Sequence, residues 1–261
     1  MNLSLENRTA VVCGSTQGIG LASAIELANL GATCILMARN EASLQEATKQ
    51  LNTSLNQQHS YLIADFDKPE TVKTAIEKFV ESNAVHVLIN NSGGPASGAI
   101  TTANEDEFLN TFNRHLICNH ILAKAVFPSM KAAGYGRIIN VISTSVKIPL
   151  PNLGVSNTIR GAVASWSKTM ANELGQFNIT VNNVLPGATA TNRLKGIIEV
   201  NSGKKNKTID EVEDEMKKEI PMKRFAEPNE IANAVAFLAS PAASYINGVS
   251  IAVDGGRTGS L

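Results

Sequence analysis

Three glycines in Gly14-Ser15-Thr16-Gln17-Gly18-Ile19-Gly20 directly follow the β-branched run Thr9–Cys13 and directly precede an apolar-periodic stretch. No other part of the chain constrains the fold as strongly. A strand must end, the backbone must turn tightly and a helix must begin, all between Gly14 and Gly20. Gly14 permits the turn, Gly18 lets the backbone approach a ligand, and Gly20 allows close helix–strand packing. The opening helix presents free N–H groups and a positive dipole end, which suit a phosphate. A glycine-rich turn that holds no ligand is the alternative.

The rest of the chain repeats the same alternation. Thr9–Cys13, Thr33–Ala38, Tyr61–Ala64, Val85–Asn90, Arg137–Ile142, Thr180–Val184 and Ser250–Val253 read as strands. Helical patterns fall at Ile19–Leu30, Ala42–Leu55, Pro69–Ser82, Asp106–Ala132, Leu153–Gln176 and Pro228–Ala239. The expected fold is α/β: a Rossmann-like, doubly wound, mostly parallel seven-stranded sheet with helices on both faces. No linker or repeat divides it, so residues 1–261 are expected to form a single dinucleotide-binding domain. Residues 193–220 differ, being rich in charge of both signs. There Ile209, Val212, Met216 and Ile220 fall at helical spacing, giving one apolar stripe on a charged helix. The segment reads either as an amphipathic helix packed on the body or as a lid over a substrate pocket.

Composition excludes several partners. Lysine plus arginine equals aspartate plus glutamate at 23 each, so no global field favours nucleic acid or an anionic membrane. No apolar run approaches the roughly 18 residues that span a bilayer. The first residues lack the layout of a signal peptide, and a cytoplasmic location is expected. The cysteines (Cys13, Cys34, Cys118) form no CxxC pair, and Cys13 and Cys34 sit in strand-like apolar surroundings that favour inert thiols. His115 and His120 are five apart and point to different helix faces, so no metal site is expected.

The second strand ends Ile35-Leu36-Met37-Ala38-Arg39-Asn40. A carboxylate at this point would accept hydrogen bonds from an adenosine ribose, as NAD requires. Arg39 instead offers a planar guanidinium suited to a 2′-phosphate, favouring NADP(H) over NAD(H). A solvent-facing arginine without a ligand is the alternative.

The spacing Gly-x-x-x-Gly-x-Gly resembles the short-chain dehydrogenase/reductase family, and the likeness runs from Leu5 to Gly256. The resemblance implies that Ser15, Thr16, Gln17 and Ile19 join the three glycines in holding the dinucleotide. It places Asp65, with Phe66 beside it, against the adenine. Asn90-Asn91-Ser92-Gly93 is similar to a box that steadies the central sheet and backs the cofactor. Pro186-Gly187 with Thr189 and Thr191 matches the loop holding the nicotinamide amide. The stretch from Arg224 to Gly256 especially resembles 3-oxoacyl-acyl-carrier-protein reductases and related bacterial dehydrogenases, and the resemblance implies that this end builds a tetramer interface.

The family's reaction moves a hydride between nicotinamide and a carbonyl or alcohol carbon. In it a tyrosine handles the substrate proton, a lysine four residues on lowers its pKa, and a serine on the preceding strand donates to the substrate oxygen. Here Ser143 falls at the serine position, but Ser156 stands for the tyrosine and Arg160 for the lysine. The chain's tyrosines, Tyr61, Tyr135 and Tyr245, have no lysine four residues later. An aliphatic hydroxyl is a far weaker acid than a phenol; Arg160 keeps the positive charge and can still bond the cofactor's ribose hydroxyls, but arginine does not release a proton near neutrality. The position of the family's proton-relay asparagine falls on His115, with Asn113 close by. An imidazole of ordinary pKa near 6.5 is suited to carrying protons, which makes His115 the leading carrier; a helix histidine with no part in chemistry is the alternative. Trp166 and Phe177 read as core, and Lys168 lies too far along the helix to replace the lysine.

The expected activity is therefore an NADP(H)-dependent, 3-oxoacyl-reductase-like oxidoreductase with an altered proton relay through Ser143, Ser156, Arg160 and His115. Its substrate would be a small or acyl-type carbonyl compound. The competing expectation is a dinucleotide-binding sensor or partner subunit that has lost catalysis; elimination or isomerisation on the same scaffold is a third.

Overall fold

The computed structural model describes residues 1–260. Its sheet holds seven parallel strands in the order β3-β2-β1-β4-β5-β6-β7. The strands are β1 (Thr9–Cys13), β2 (Thr33–Ala38), β3 (Ser60–Ile63), β4 (Val87–Asn90), β5 (Gly136–Val141), β6 (Ile179–Pro186) and β7 (Ser250–Val253). Parallel neighbours need crossovers, and helices supply them on both faces. Strand order reverses between β1 and β4, which opens a crevice at their carboxyl ends.

Period-two alternation divides the core. Ala10, Val12, Cys34, Leu36, Val87 and Ile89 point to one face and meet Leu27, Ala28, Ile231 and Val235. These belong to α1 (Gly18–Asn29) and α9 (Pro228–Ala239). Val11, Cys13, Ile35, Met37 and Leu88 point to the other face, toward Val72, Ile76, Leu122, Val126 and Ala171. The latter come from α3 (Pro69–Val80), α5 (Cys118–Ala133) and α6 (Gly154–Leu174). Trp166 and Phe177 pack against this second cluster.

Polar side chains also cross the sheet. Asn90 on β4 donates to Asn140 on β5 at 2.8 Å, and Asn140 donates to Asn183 on β6 at 3.0 Å. Asn183 then donates to the Ser250 hydroxyl on β7 at 3.1 Å. Only the Asn90 end of this row has a sequence motif to announce it.

Several boundaries differ from the sequence expectation, each for a local reason. The second helix, α2 (Glu41–Thr48), stops well before Leu55. Beyond it the Asn52 carboxamide accepts from the Ser54 amide at 2.9 Å, a local bond that competes with helix. Val85 is left out of β4 because the Ser129 hydroxyl accepts from its N–H and donates to its carbonyl. The long helix expected over Asp106–Ala132 is α4 (Glu105–Phe112) and α5, joined through a π-helical turn, Asn113–Ile117. The charged segment holds two helices rather than one: α7 (Asn192–Lys205) and α8 (Ile209–Lys218). Leu194, Ile198 and Val212 form a separate buried cluster there, with Ala188, Met216 and Phe225 around it. Ile209, expected on the buried stripe, is 48% exposed because it opens α8 next to its N-cap Thr208.

Candidate active site

The crevice is built first by the glycine turn. Gly14 and Gly18 both have φ of +56°, a left-handed conformation that favours glycine. A Cβ on Gly20 would stand 2.1 Å from the Gly14 carbonyl oxygen, so only glycine lets α1 start this close to β1. The Asn91 carboxamide donates to the Cys13 and Gly14 carbonyls at 3.3 and 3.2 Å, tying the end of β4 to the turn. Gln17 precedes α1 without a side-chain cap, and its Oε1 accepts from Asn192 at 2.9 Å. Thr16 and Ile19 are half-buried on this turn. Ser15 is a correction to the expected lining: it is wholly buried, and its hydroxyl accepts from the Met37 amide at 3.1 Å. It splices the turn to β2 and offers no surface to a ligand.

The end of β2 carries Arg39, whose side chain is 74% exposed and 3.9 Å from Asp67. Asn40 caps α2, accepting from the Ser43 amide at 2.8 Å. Asp65 and Phe66 are half-buried after β3, where the Asp65 carboxylate accepts from the Asp67 amide at 3.1 Å. Past β6, Pro186 and Gly187 lead to Thr189, which donates to the Gly187 carbonyl. Thr191 caps α7, and its methyl would lie 3.2 Å from a Cβ on Gly18. The loop after β6 therefore leans directly on the glycine turn.

The other wall comes from the ends of β4 and β5 and from α6. Ser143 follows β5 in extended backbone, and its hydroxyl oxygen accepts from the Ser145 amide at 3.1 Å while its proton stays available for donation. Ser156 and Arg160 lie one turn apart on α6, so they share a face. Arg160 is only 8% exposed and donates to the Val141 carbonyl at 3.0 Å, which pins that face to the end of β5. Burial, then repulsion from Arg193, pulls its pKa down to about 10, so it remains a cation at neutral pH. Lys168 instead donates to the Gly248 carbonyl at 3.2 Å, at the edge of β7.

His115 sits in the π-helical turn and is buried. Its Nδ1 is 2.7 Å from the Ser92 hydroxyl, whereas Nε2 has no hydrogen-bond partner among the described residues. Burial first, then the charges of Arg160 and Arg114, holds its pKa well below the ordinary value. The imidazole is therefore neutral at physiological pH, which corrects the expectation of an unperturbed pKa. Asn113 opens the same turn. π-helical turns displace one side chain relative to an α-helix, and this one accounts for the ambiguous register between Asn113 and His115.

Three residues join the site that sequence reasoning did not single out. Arg114 pairs with Asp67 and donates to the Gly93 carbonyl at 3.3 Å. Asp67 thus faces both Arg39 and Arg114. Arg193, at the start of α7, donates to the Pro95 carbonyl. The available signals were weak: Arg114 adjoins His115, and Arg193 follows Thr191 by two positions.

The cysteines play no part in this chemistry. All three are buried free thiols, and burial raises the pKa of Cys34 and of Cys118 to about 12.

Comparison with known proteins agrees with this architecture. Residues 14–258 match the family model described as Enoyl-(Acyl carrier protein) reductase. The chain is 30% identical to the NADPH-dependent reductase BacG of Bacillus subtilis, over 98% of this chain and 100% of that one. It is 32% identical to the 3-oxoacyl-[acyl-carrier-protein] reductase FabG of Vibrio cholerae, over 97% and 98%. Among solved structures, L-sorbose reductase from Gluconobacter frateurii, complexed with NADPH and L-sorbose, superposes with a TM-score of 0.93. That likeness has 30% identity and covers all of both chains.

Proposed function

The chain belongs to the short-chain dehydrogenase/reductase family, and from that premise we propose that it is an NADP(H)-dependent oxidoreductase interconverting a carbonyl and a hydroxyl. The observation that carries this reading is the crevice wall in which Ser143, the Ser156–Arg160 face and neutral His115 stand at the carboxyl ends of β4 and β5. NADPH-dependent relatives support the choice of nucleotide.

The glycine turn fits a dinucleotide, because left-handed Gly14 and Gly18 and the lack of a Cβ on Gly20, which would strike the Gly14 carbonyl, let the N-terminus of α1 start directly at the end of β1. Gly18, Ile19 and Gly20 would hold the diphosphate at the start of α1, and the mostly exposed Arg39 would take the 2′-phosphate. Asp65 and Phe66 would border the adenine. Asn91, Ser92 and Gly93 would back the nicotinamide half, and Pro186, Gly187, Thr189 and Thr191 would hold its amide. When bound, the nucleotide supplies or accepts the hydride.

Ser143 donates its free hydroxyl proton to the substrate oxygen. Arg160, fixed by Val141, stabilises developing negative charge without giving up its own proton. Ser156 orders a water in the volume a phenol would fill. His115 works as a neutral relay, taking a proton on one ring nitrogen as it releases one from the other through Ser92. Such a site lacks a direct phenolic acid, which costs about 10²–10⁴-fold in rate relative to an optimised relay. Residues 193–220 form the cover of the substrate pocket, and exposed Tyr245 and Val249 beside β7 mark a face for association into a tetramer.

The test is spectrophotometric NADPH oxidation across a panel of aldehydes and ketones, with nucleotide affinity measured separately. Ser156→Tyr combined with Arg160→Lys is expected to raise turnover at least tenfold. Tight NADPH binding without oxidation by any carbonyl, in both proteins, would overturn the reading and leave a nucleotide sensor. Mass photometry showing only monomers would remove the tetramer.

A further inference from the structure

Among the described residues, no acidic side chain pairs with Arg160 or Arg193. From the position a Cβ would take on Gly94, the nearer Nη2 atoms are those of Arg193 at 3.5 Å and Arg160 at 3.9 Å. The two guanidinium groups thus converge on one point at the rim of the crevice. Among the described residues the only acceptors they meet are main-chain carbonyls, Val141 for Arg160 and Pro95 for Arg193. Among the described residues neither has a carboxylate within ion-pair distance, whereas neighbouring Arg114 is paired with Asp67. The two close cations repel each other, and Arg160, almost completely buried, has also lost most of its hydration while Arg193 is exposed; an anion between them would offset that cost. Among the described residues the buried Nε2 of His115, whose ring feels the charge of Arg160, also lacks a hydrogen-bond partner.

We propose that the substrate carries a carboxylate, held between Arg160 and Arg193 beside Gly94. This rests on the oxidoreductase reading above and names its substrate class: an oxo acid or hydroxy acid in place of a neutral ketone. Guanidinium and carboxylate match in planar, two-point geometry, which fixes the orientation of the adjoining carbonyl carbon as well as its affinity. The diphosphate of a nucleotide does not account for the pair. Its cradle is the start of α1, whereas Arg160 hangs from the end of β5 and Arg193 reaches the loop after β4.

The experiment pairs each oxo acid with its neutral ester: pyruvate, acetoacetate and levulinate against their methyl esters. Two readouts are taken, NADPH oxidation and calorimetric binding to the protein with and without NADP⁺. For at least one pair the acid is expected to exceed the ester by roughly 10–100-fold in kcat/KM or in affinity, the size of a charge-assisted contact. In Arg193→Gln that ratio should collapse toward unity, and in Arg160→Lys it should fall only partly. Acid binding without any NADPH oxidation would sustain the carboxylate site and sink the oxidoreductase reading. Equal handling of acid and ester overturns the inference, whether or not turnover is seen. So does an Arg193→Gln protein that loses NADPH affinity while keeping the acid-to-ester ratio, because the arginine then serves the cofactor.

Discussion

His115 shows how burial changes the role of a side chain. In sequence it is a helix histidine with an ordinary pKa; in the fold it is enclosed and faces two arginines. Because its folded pKa is depressed, the unfolded chain binds a proton that the folded chain refuses. Its contribution is therefore fully present above about pH 6.5 and is lost as pH falls toward the folded value. His86, also lowered by burial and by Arg8, acts with the same sign. Melting temperature should drop between pH 7 and pH 5, and His115→Asn should flatten that drop. An unchanged pH slope in the variant would show that His115 is not held neutral by the fold. Turnover is a separate matter: His115→Ala retaining full kcat would strike the imidazole from the proton relay.

At the level of elements, the junctions between strands and helices are the most demanding positions. Gly20→Ala pushes a methyl into the Gly14 carbonyl and to 2.7 Å from the Asn91 carboxamide. Overpacking of this kind costs about 1–3 kcal/mol, and here it also deforms the glycine turn proposed to hold the diphosphate. A Gly20→Ala protein with native melting temperature and native NADPH affinity would contradict the packing described. The asparagine row offers an independent measure. Asn140 is fully buried, accepts from Asn90, and donates to both Ser167 and Asn183. Asn140→Leu strands those partners, at about 1–3 kcal/mol for each buried group left unpaired. Urea denaturation should show a loss of at least about 3 kcal/mol; a loss below about 1 kcal/mol would mean the row carries no weight.

Across the whole molecule, the two large apolar clusters lie on opposite faces of one sheet, and the cluster under α7 and α8 is a separate, smaller body. Elements with few buried apolar contacts open more readily than the core. Amide hydrogen exchange should accordingly be faster in α7 and α8 than in α5 and α6, and should slow there when NADPH and substrate bind. Equal protection in all four helices, unaffected by ligand, would remove the cover role of residues 193–220.

The chain's local patterns were sufficient for the sheet, its strand count and the glycine cradle. β1, β2, β7 and α9 appear at their expected bounds because apolar period and glycine placement are properties of neighbouring residues. Other features have no local signature. The row of asparagines across β4, β5 and β6, the burial of Ser15 and the neutral state of His115 each depend on residues distant in the chain. So does the meeting of Arg160 with Arg193 at Gly94. Periodicity assigns a side chain to a face, but only packing decides which charges share that face and whether water can reach them.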